Sequence, residues 1–210
     1  MASAVRSWLA RRVAGQRIDP AAFRALDLRC HDVLADVPLH DVWTVDLPGG
    51  GPGRTVADVH GLSPLRGPWS ATLPVRALFA VRTALGRAFD WDAPRHDPPG
   101  GSYVDRLRAE DRRRSTILPG TRDGPFRILY AFERELLAEI RNATVHAFLV
   151  MALADRSGGY TLFLAVYVKP VGRLTALYMA AIDPFRRLVV YPALLGELRA
   201  RWARAYPVAA

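Results

Sequence analysis

The feature that most constrains this fold is a pair of long segments that are apolar on both faces and joined by a turn. Residues 144–154 and 160–169 are rich in β-branched, aromatic and aliphatic side chains, and the sequence Asp-Arg-Ser-Gly-Gly separates them. Segments of this composition on either side of a glycine turn predict a β-hairpin. Because both faces are apolar, one face needs a helix, and the other needs a further cover, a ligand or a partner.

Three further segments are expected to add strands to this hairpin. Residues 126–132 and 136–142 are rich in the same residue types, and residues 41–47 alternate polar and apolar side chains as a half-buried strand does. We therefore expect residues 126–169 to form the antiparallel core of one curved sheet. The arginine-rich residues 106–114 predict a solvated strand and turn.

Helical patterns lie on both sides of these strands. Asp19-Pro20 is a typical helix start, with an aspartate cap and a proline in the first turn. Residues 74–89 carry apolar side chains at helical spacing. Residues 173–202 do the same over a greater length, with Leu188 on the predicted apolar face and a kink expected at Pro192.

The order of these elements predicts an α+β fold. We expect a curved antiparallel sheet of about six to seven strands, wrapped around a long C-terminal helix in a helix-grip arrangement. Residues 1–37 are interpreted as an N-terminal helical extension and residues 38–210 as the α+β domain. A chain of 210 residues has enough material for a large core and for a cavity within it.

The net charge of +9 does not by itself indicate nucleic-acid binding. Lys169 is the only lysine and all other basic residues are arginines, a skew that, with abundant alanine, glycine and proline, a GC-rich genome produces without selection for phosphate binding. No helix-turn-helix, RNA-recognition or zinc-finger signature accompanies the charge, so we predict no specific nucleic-acid partner. An anionic ligand or the surface of an acidic membrane fits the charge better.

Cysteine and histidine usage predicts neither a metal nor a cofactor. Cys30 is the single cysteine, which excludes an internal disulfide and is interpreted as an inert, half-buried thiol. The five histidines are scattered, with no pair at ligand spacing. The start of the chain lacks a signal-peptide pattern and no stretch has the length of a membrane span, so we predict a cytoplasmic protein. The sequence leaves the oligomeric state open.

Three segments carry a resemblance to a known family. They read ELLAEIRNATVHAF at residues 135–148, YVKPVGRL at residues 167–174 and YMAAIDPFRRLVVYP at residues 178–192. They resemble the uncharacterised bacterial domain-of-unknown-function family 2867, and the resemblance extends over roughly residues 38–206. It implies a START-like (helix-grip, SRPBCC-type) fold with an apolar cavity, and it brings no catalytic residues with it.

Polar side chains in otherwise apolar strands mark the first part of a candidate ligand site. Strict alternation places Glu139 and Arg141 on one face and Asn142 and His146 on the other, unless a bulge intervenes. One interpretation is an ion pair between Glu139 and Arg141 at the rim of the sheet. The other makes His146, with Asn142, a polar anchor or a general base in the cavity.

The second part of the candidate site lies near the C-terminal helix. Tyr178 and Tyr191 can offer hydroxyl groups to a ligand, and core packing explains them as well. Arg186 can pair with Glu139 or Glu133, or receive an anionic head group.

The sequence leaves three functions open. The first is binding of a small apolar or amphipathic molecule in a cavity between the sheet and the C-terminal helix, with His146 or Tyr178 among its few polar edges. The second is an enzyme in the same cavity, a cyclase, isomerase or hydrolase, with His146 or a carboxylate as acid/base. The third is a peripheral membrane or protein-interaction module that uses the C-terminal helix and its arginines.

Overall fold

The computed structural model describes residues 15–64, 101–141, 145–170 and 183–207. The helix predicted at residues 74–89 and the first part of the predicted C-terminal helix lie outside these ranges. Two of the predicted ligand residues, Asn142 and Tyr178, also lie outside them.

Seven strands form one curved antiparallel sheet in the order β1-β2-β7-β6-β5-β4-β3. Every neighbouring pair is antiparallel, and the tight hairpin at residues 156–159 joins the two longest strands as predicted. The predicted α+β, helix-grip fold is confirmed. The strands are β1 (Gly15–Arg17), β2 (Leu39–Pro48), β3 (Arg122–Asp123), β4 (Phe126–Ala131), β5 (Glu135–Arg141), β6 (Val145–Arg156) and β7 (Gly159–Pro170).

Short helices and one long helix accompany the sheet. The predicted cap at Asp19 is confirmed, since its side chain accepts the N–H of Ala21 at 2.8 Å. The described helices are α1 (Pro20–Arg24), α2 (Cys30–Val33), α3 (Val56–Leu62), α4 (Ala109–Arg114) and α5 (Tyr191–Ala205), with a 3₁₀ turn at Tyr103–Arg106 and a π-helical segment at Arg186–Val190.

The strand and turn predicted at residues 106–114 are wrong. These residues form the end of the 3₁₀ turn followed by α4. The helix begins there because the buried carboxylate of Asp111 accepts the backbone N–H of Arg108 at 3.0 Å. The side chain of Arg29 holds the same carboxylate at 3.0 Å and so attaches α4 to the beginning of α2.

The C-terminal helix covers one face of the sheet, which we call the helix face. Leu195, Leu198 and Trp202 of α5 are buried against the apolar side chains of β2 and β7. The indole of Trp202 donates a hydrogen bond to the carbonyl of Pro48 at 3.1 Å, which ties the end of α5 to the end of β2.

The start of this helix departs from a regular α-helix. The π-helical segment ends directly before Tyr191, and Pro192 stands in the first turn of α5. In an α-helix each carbonyl accepts the N–H of the residue four positions later, and a proline has no N–H to donate. A π-helical turn before the proline accommodates this loss. The segment changes the phase of the side chains, so Leu188, predicted on the buried face, is 64% exposed.

The opposite face, which we call the anchor face, is covered by other parts of the chain. Phe23 of α1, Leu34 beside α2 and Tyr103 of the 3₁₀ turn are fully or almost fully buried against apolar side chains of β4 to β7. Residues 15–37, part of the predicted N-terminal extension, supply β1 and two of these covering helices. The boundary between residues 37 and 38 remains a prediction.

The glycine run after β2 lies against α5. Gly50 has a φ of +91°, and a Cβ at this position would lie 2.8 Å from the ring of Trp202. Gly51 has a φ of +64°, but a Cβ there would meet no atom within 4 Å. Glycine is therefore required at position 50 by the positive φ and by the close approach of Trp202, and at position 51 by the positive φ alone.

Gly50→Ala is expected to destabilise the protein more than Gly51→Ala. The left-handed conformation costs an alanine about 1–2 kcal/mol at either position. Only the change at Gly50 also pushes against Trp202, which adds about 1–3 kcal/mol. Urea unfolding followed by tryptophan fluorescence measures both losses, and equal losses would show that close approach to Trp202 does not constrain Gly50.

Candidate functional site

The predicted ligand residues that the structure describes fall into two groups on opposite faces of the sheet. Glu139 and His146 lie together on the anchor face, where the histidine ring contacts those of Tyr103 and Phe148. Arg186 and Tyr191 lie together on the helix face. These four described residues therefore do not line one shared pocket.

The register of β5 and β6 places His146 on the anchor face. His146 pairs directly with Arg141, and Glu139 pairs directly with Phe148. Directly paired residues of antiparallel strands project to the same side of the sheet. His146 was predicted to lie on the face opposite Glu139 and at the edge of a cavity beside the C-terminal helix. Both predictions are therefore wrong. Alternation holds within one strand, and it cannot be counted across the connection between two strands.

Glu139 is a buried acceptor with three donors. Its carboxylate accepts hydrogen bonds from Nε2 of His146 at 3.1 Å, from the backbone N–H of Tyr103 at 3.1 Å and from the hydroxyl of Ser102. Burial by itself would raise the pKa of Glu139, but the bonds from His146, Ser102 and Tyr103 lower this pKa overall. The predicted ion pair with Arg141 is not formed between these two described residues.

Glu135 makes a similar arrangement four residues earlier on the same face of β5. Its carboxylate accepts the backbone N–H groups of Arg29 and Cys30, both at 2.8 Å, and the hydroxyl of Tyr130 at 2.7 Å. The two glutamates thus bind the two chain segments that cover the anchor face. Glu139 and His146 therefore serve to attach a covering segment to the sheet.

Arg186 and Tyr191 belong to a charged cluster at the start of the C-terminal helix. Arg186 donates through Nη1 to Asp183 at 3.0 Å and through Nη2 to the hydroxyl oxygen of Tyr191. Arg187 binds Asp41 of β2 at 3.2 Å. The predicted pairing of Arg186 with Glu139 is wrong, because Glu139 lies on the other face of the sheet.

Two aspartates form the centre of this cluster. Asp41 is 1% exposed and also accepts a hydrogen bond from Arg17 at 2.8 Å. Asp183 is the first described residue of the C-terminal helical segment, and its carboxylate binds Nε2 of His40 at 2.7 Å. Among the described residues of this cluster, the three arginines Arg17, Arg186 and Arg187 face two aspartates, so the arginines outnumber the aspartates by one before His40 is counted.

His40, Asp41 and Asp183 offer ligand atoms that lie within 4.8 Å of one another, which is close enough for a shared cation. Their oxygens, however, already bind the guanidinium groups of Arg17, Arg187 and Arg186. A metal ion would have to displace these cations, and Arg186, whose side chain is only 11% exposed, would lose its contact with Asp183. The donor set therefore does not fit a metal centre.

A buried indole beside this cluster has an unused hydrogen-bond donor. Trp43 is 6% exposed, and its Nε1 has no acceptor among the described residues. The ring of Trp43 lies 5.2 Å from the ring of Tyr191. Buried donors almost always have an acceptor in folded proteins, so this one requires an explanation.

The hydroxyl of Tyr191, whose ring packs against that of Trp43, provides a second donor. Burial raises the pKa of Tyr191, although Arg186 opposes the shift, so the hydroxyl keeps its proton. Its oxygen accepts from Arg186, and the proton has no acceptor in the part of the chain that the structure describes. Two neighbouring donors can therefore receive one or two oxygen atoms of a ligand.

Sequence reasoning found Arg186 and Tyr191 and missed Trp43, His40 and Asp41. Trp43 is buried in the sheet, as an ordinary core aromatic would be. Asp41 was the sequence signal for this cluster. It lies two residues before Trp43 on the buried face of the same strand, where a charged side chain must be paired.

Cys30 and Tyr167 on the anchor face are not activated for chemistry. Cys30 is fully buried rather than half-buried, and burial together with Glu135 raises the pKa of its thiol. Burial also raises the pKa of Tyr167, whose hydroxyl lies 3.4 Å from Nδ1 of His31. These two residues therefore remain protonated near neutral pH.

Glu139→Gln is expected to destabilise the protein at about pH 7 by roughly 2 kcal/mol, because it weakens charge-assisted hydrogen bonds in the interior. The folded-state pKa of Glu139 is lowered, so its ionised form contributes stability above the ordinary glutamate pKa of about 4.3. This contribution is lost as the pH falls through the folded-state pKa.

Urea unfolding of both proteins at about pH 7 and about pH 3.5 measures this effect. The difference between wild type and Glu139→Gln should shrink at the lower pH. Glu133→Gln, in the exposed turn before β5, is the control and should differ little from wild type at either pH. A difference for Glu139→Gln that is the same at both pH values would contradict an ionised Glu139.

Comparison with known families supports the resemblance seen in the sequence. Neither the curated proteins nor the solved structures gave a match. A family model described as "Protein of unknown function (DUF2867)" matches residues 33–193, which is more than half of the chain and includes β2 to β7 and the charged cluster around Asp41 and Asp183. The chain therefore belongs to the DUF2867 family.

Proposed function

We propose that this protein binds a small amphipathic molecule with an acidic, oxygen-bearing head group between β2 and the start of the C-terminal helix. The observation that carries this proposal is the unused N–H of Trp43, whose ring packs against the ring of Tyr191. A buried donor without an acceptor costs about 1–3 kcal/mol. A ligand oxygen at this place removes that cost.

The charges at the site favour an anionic head group. The cluster contains more arginines than aspartates, and Arg186 is held in place beside Tyr191. Burial opposes the charge of Arg186, but Tyr191 and Asp183 raise its pKa overall, so it stays a cation. A carboxylate offers the oxygen acceptors that these donors need and offsets the excess positive charge.

The surroundings favour a small apolar body. Trp43 pairs directly with Leu164 across β2 and β7, and Leu194 is buried on the same face. Leu198 and Trp202 of α5 are also buried on this face, and the pockets beside Tyr167, Glu135 and Arg127 lie elsewhere. A short amphiphile therefore fits better than a long lipid.

The enzymatic alternative has less support from the described residues. Glu139 and His146 are 1% and 5% exposed, and they bind each other and a covering segment. A general base must reach the proton of a substrate, and the rings of Tyr103 and Phe148 lie against His146 instead.

The membrane and protein-interaction alternative also has less support. It requires an exposed apolar face on the C-terminal helix, whereas Leu195, Leu198 and Trp202 of α5 are buried in the sheet. Among the described residues, no helix combines the length and the apolarity needed to cross a bilayer.

Calorimetric titration with octanoate and with octan-1-ol tests the proposal, because the two probes share an alkyl chain and differ in the head group. We expect octanoate to bind near one-to-one and octan-1-ol to bind at least about tenfold more weakly, since charge-assisted hydrogen bonds are the stronger ones. Trp43→Phe and Tyr191→Phe should each weaken octanoate binding about tenfold or more.

Tyr160→Phe is the matched control for these variants. Tyr160 is buried on the same face, but its hydroxyl is already satisfied, since it donates to the carbonyl of Gly51 at 2.6 Å and accepts the N–H of Arg54 at 3.1 Å. This change should leave octanoate binding within about twofold. Absence of saturable octanoate binding to the folded wild type, or an equal loss in all three variants, would overturn the proposal.

A further inference from the structure

A corner of the anchor face carries three arginines around one small pocket. Arg122 of β3, Arg127 of β4 and Arg141 of β5 line a pocket of about 170 Å³ together with Glu139. This pocket is separate from the cluster around Trp43 and Tyr191, which lies on the helix face of the sheet.

The strand register brings the positive charges together. Arg122 pairs directly with Arg127 across β3 and β4, and Arg127 pairs directly with Glu139 across β4 and β5. Like charges directly opposite each other destabilise a sheet unless something compensates them. Among the described residues that line the pocket, Glu139 is the single carboxylate, and it stands beside three guanidinium groups.

That carboxylate is already engaged by other donors. Glu139 accepts hydrogen bonds from His146, Ser102 and Tyr103. Within the described ranges, neither Arg122 nor Arg127 has a carboxylate at ion-pair distance. An excess of positive charge thus remains at the pocket.

We propose that this pocket binds a phosphate group, either as free inorganic phosphate or as the head of a phosphomonoester. The guanidinium fork of arginine matches phosphate oxygens in a bidentate geometry. Liquid water occupies about 30 Å³ per molecule, so the pocket has the volume of roughly six water molecules. This volume holds one phosphate group and leaves little room for the rest of a larger ligand.

The test is a titration of the full chain with inorganic phosphate at constant ionic strength, followed by two-dimensional NMR. We expect saturable shifts of resonances in β3, β4 and β5. Arg127→Gln and Arg122→Gln should each weaken phosphate binding about tenfold, because each removes a charge-assisted hydrogen-bond donor. Arg122 is exposed, so its replacement keeps the test valid if the variant at Arg127 does not fold.

Arg113→Gln is the matched control, because Arg113 is exposed on α4 and its replacement changes the net charge by the same amount. It should weaken phosphate binding less than about twofold, since it tests only general attraction by net charge. Shifts that do not saturate, or equal weakening by Arg113→Gln and Arg127→Gln, would overturn the proposal.

A second titration with phenyl phosphate identifies the source of the phosphate. Binding tighter than that of inorganic phosphate indicates a phosphomonoester, and weaker binding indicates the free ion. Trp43→Phe should leave phosphate binding unchanged and Arg127→Gln should leave octanoate binding unchanged, so the failure of either proposed site is seen independently of the other.

Discussion

Two buried carboxylates on one strand, Glu135 and Glu139, hold the cover of the anchor face in place. The strands β6 and β7 are apolar on both sides, but α5 covers only the helix face. The anchor face is covered by short helices and turns, whose backbone N–H groups need acceptors once they are buried. Glu135 accepts the backbone N–H groups of Arg29 and Cys30, and Glu139 accepts that of Tyr103 together with the hydroxyl of Ser102. The sheet can therefore be buried on both sides by a single chain.

The elements of the sheet were predictable from the sequence, whereas the partners of its polar residues were not. Long apolar runs, a glycine turn and the Asp19 cap are local signals, and they identified β2, β4 to β7 and α1. The donors that bind Glu139 include Ser102 and Tyr103, which lie 37 and 36 residues away in the sequence. The face of His146 depends on the register between two strands, which no local pattern gives. For the same reason, the unused donor of Trp43 is visible only in the structure, since a sequence does not show whether an indole N–H has an acceptor.

The two faces of the sheet thus carry different chemistry. On the anchor face the buried charges are bound to donors and keep the covering segments attached. On the helix face, the π-helical segment brings Arg186 and Arg187 toward Asp183 and Asp41, and the cluster keeps one positive charge in excess. Such segments are frequent at functional sites, and here the segment directly precedes Tyr191. The ligand site that we propose is therefore built on a strand and a helix, elements that position donors more firmly than loops do.

The most direct test of the proposed ligand site is to follow the NMR resonance of the Trp43 indole N–H while octanoate is added. Its assignment follows from its disappearance in Trp43→Phe. If a ligand oxygen accepts this N–H, the resonance should move downfield and exchange more slowly with solvent, in proportion to the fraction of protein bound. The indole resonance of Trp202 should stay in place, because that N–H already donates to the carbonyl of Pro48. A Trp43 resonance that does not move while octanoate binds elsewhere would contradict the proposed site.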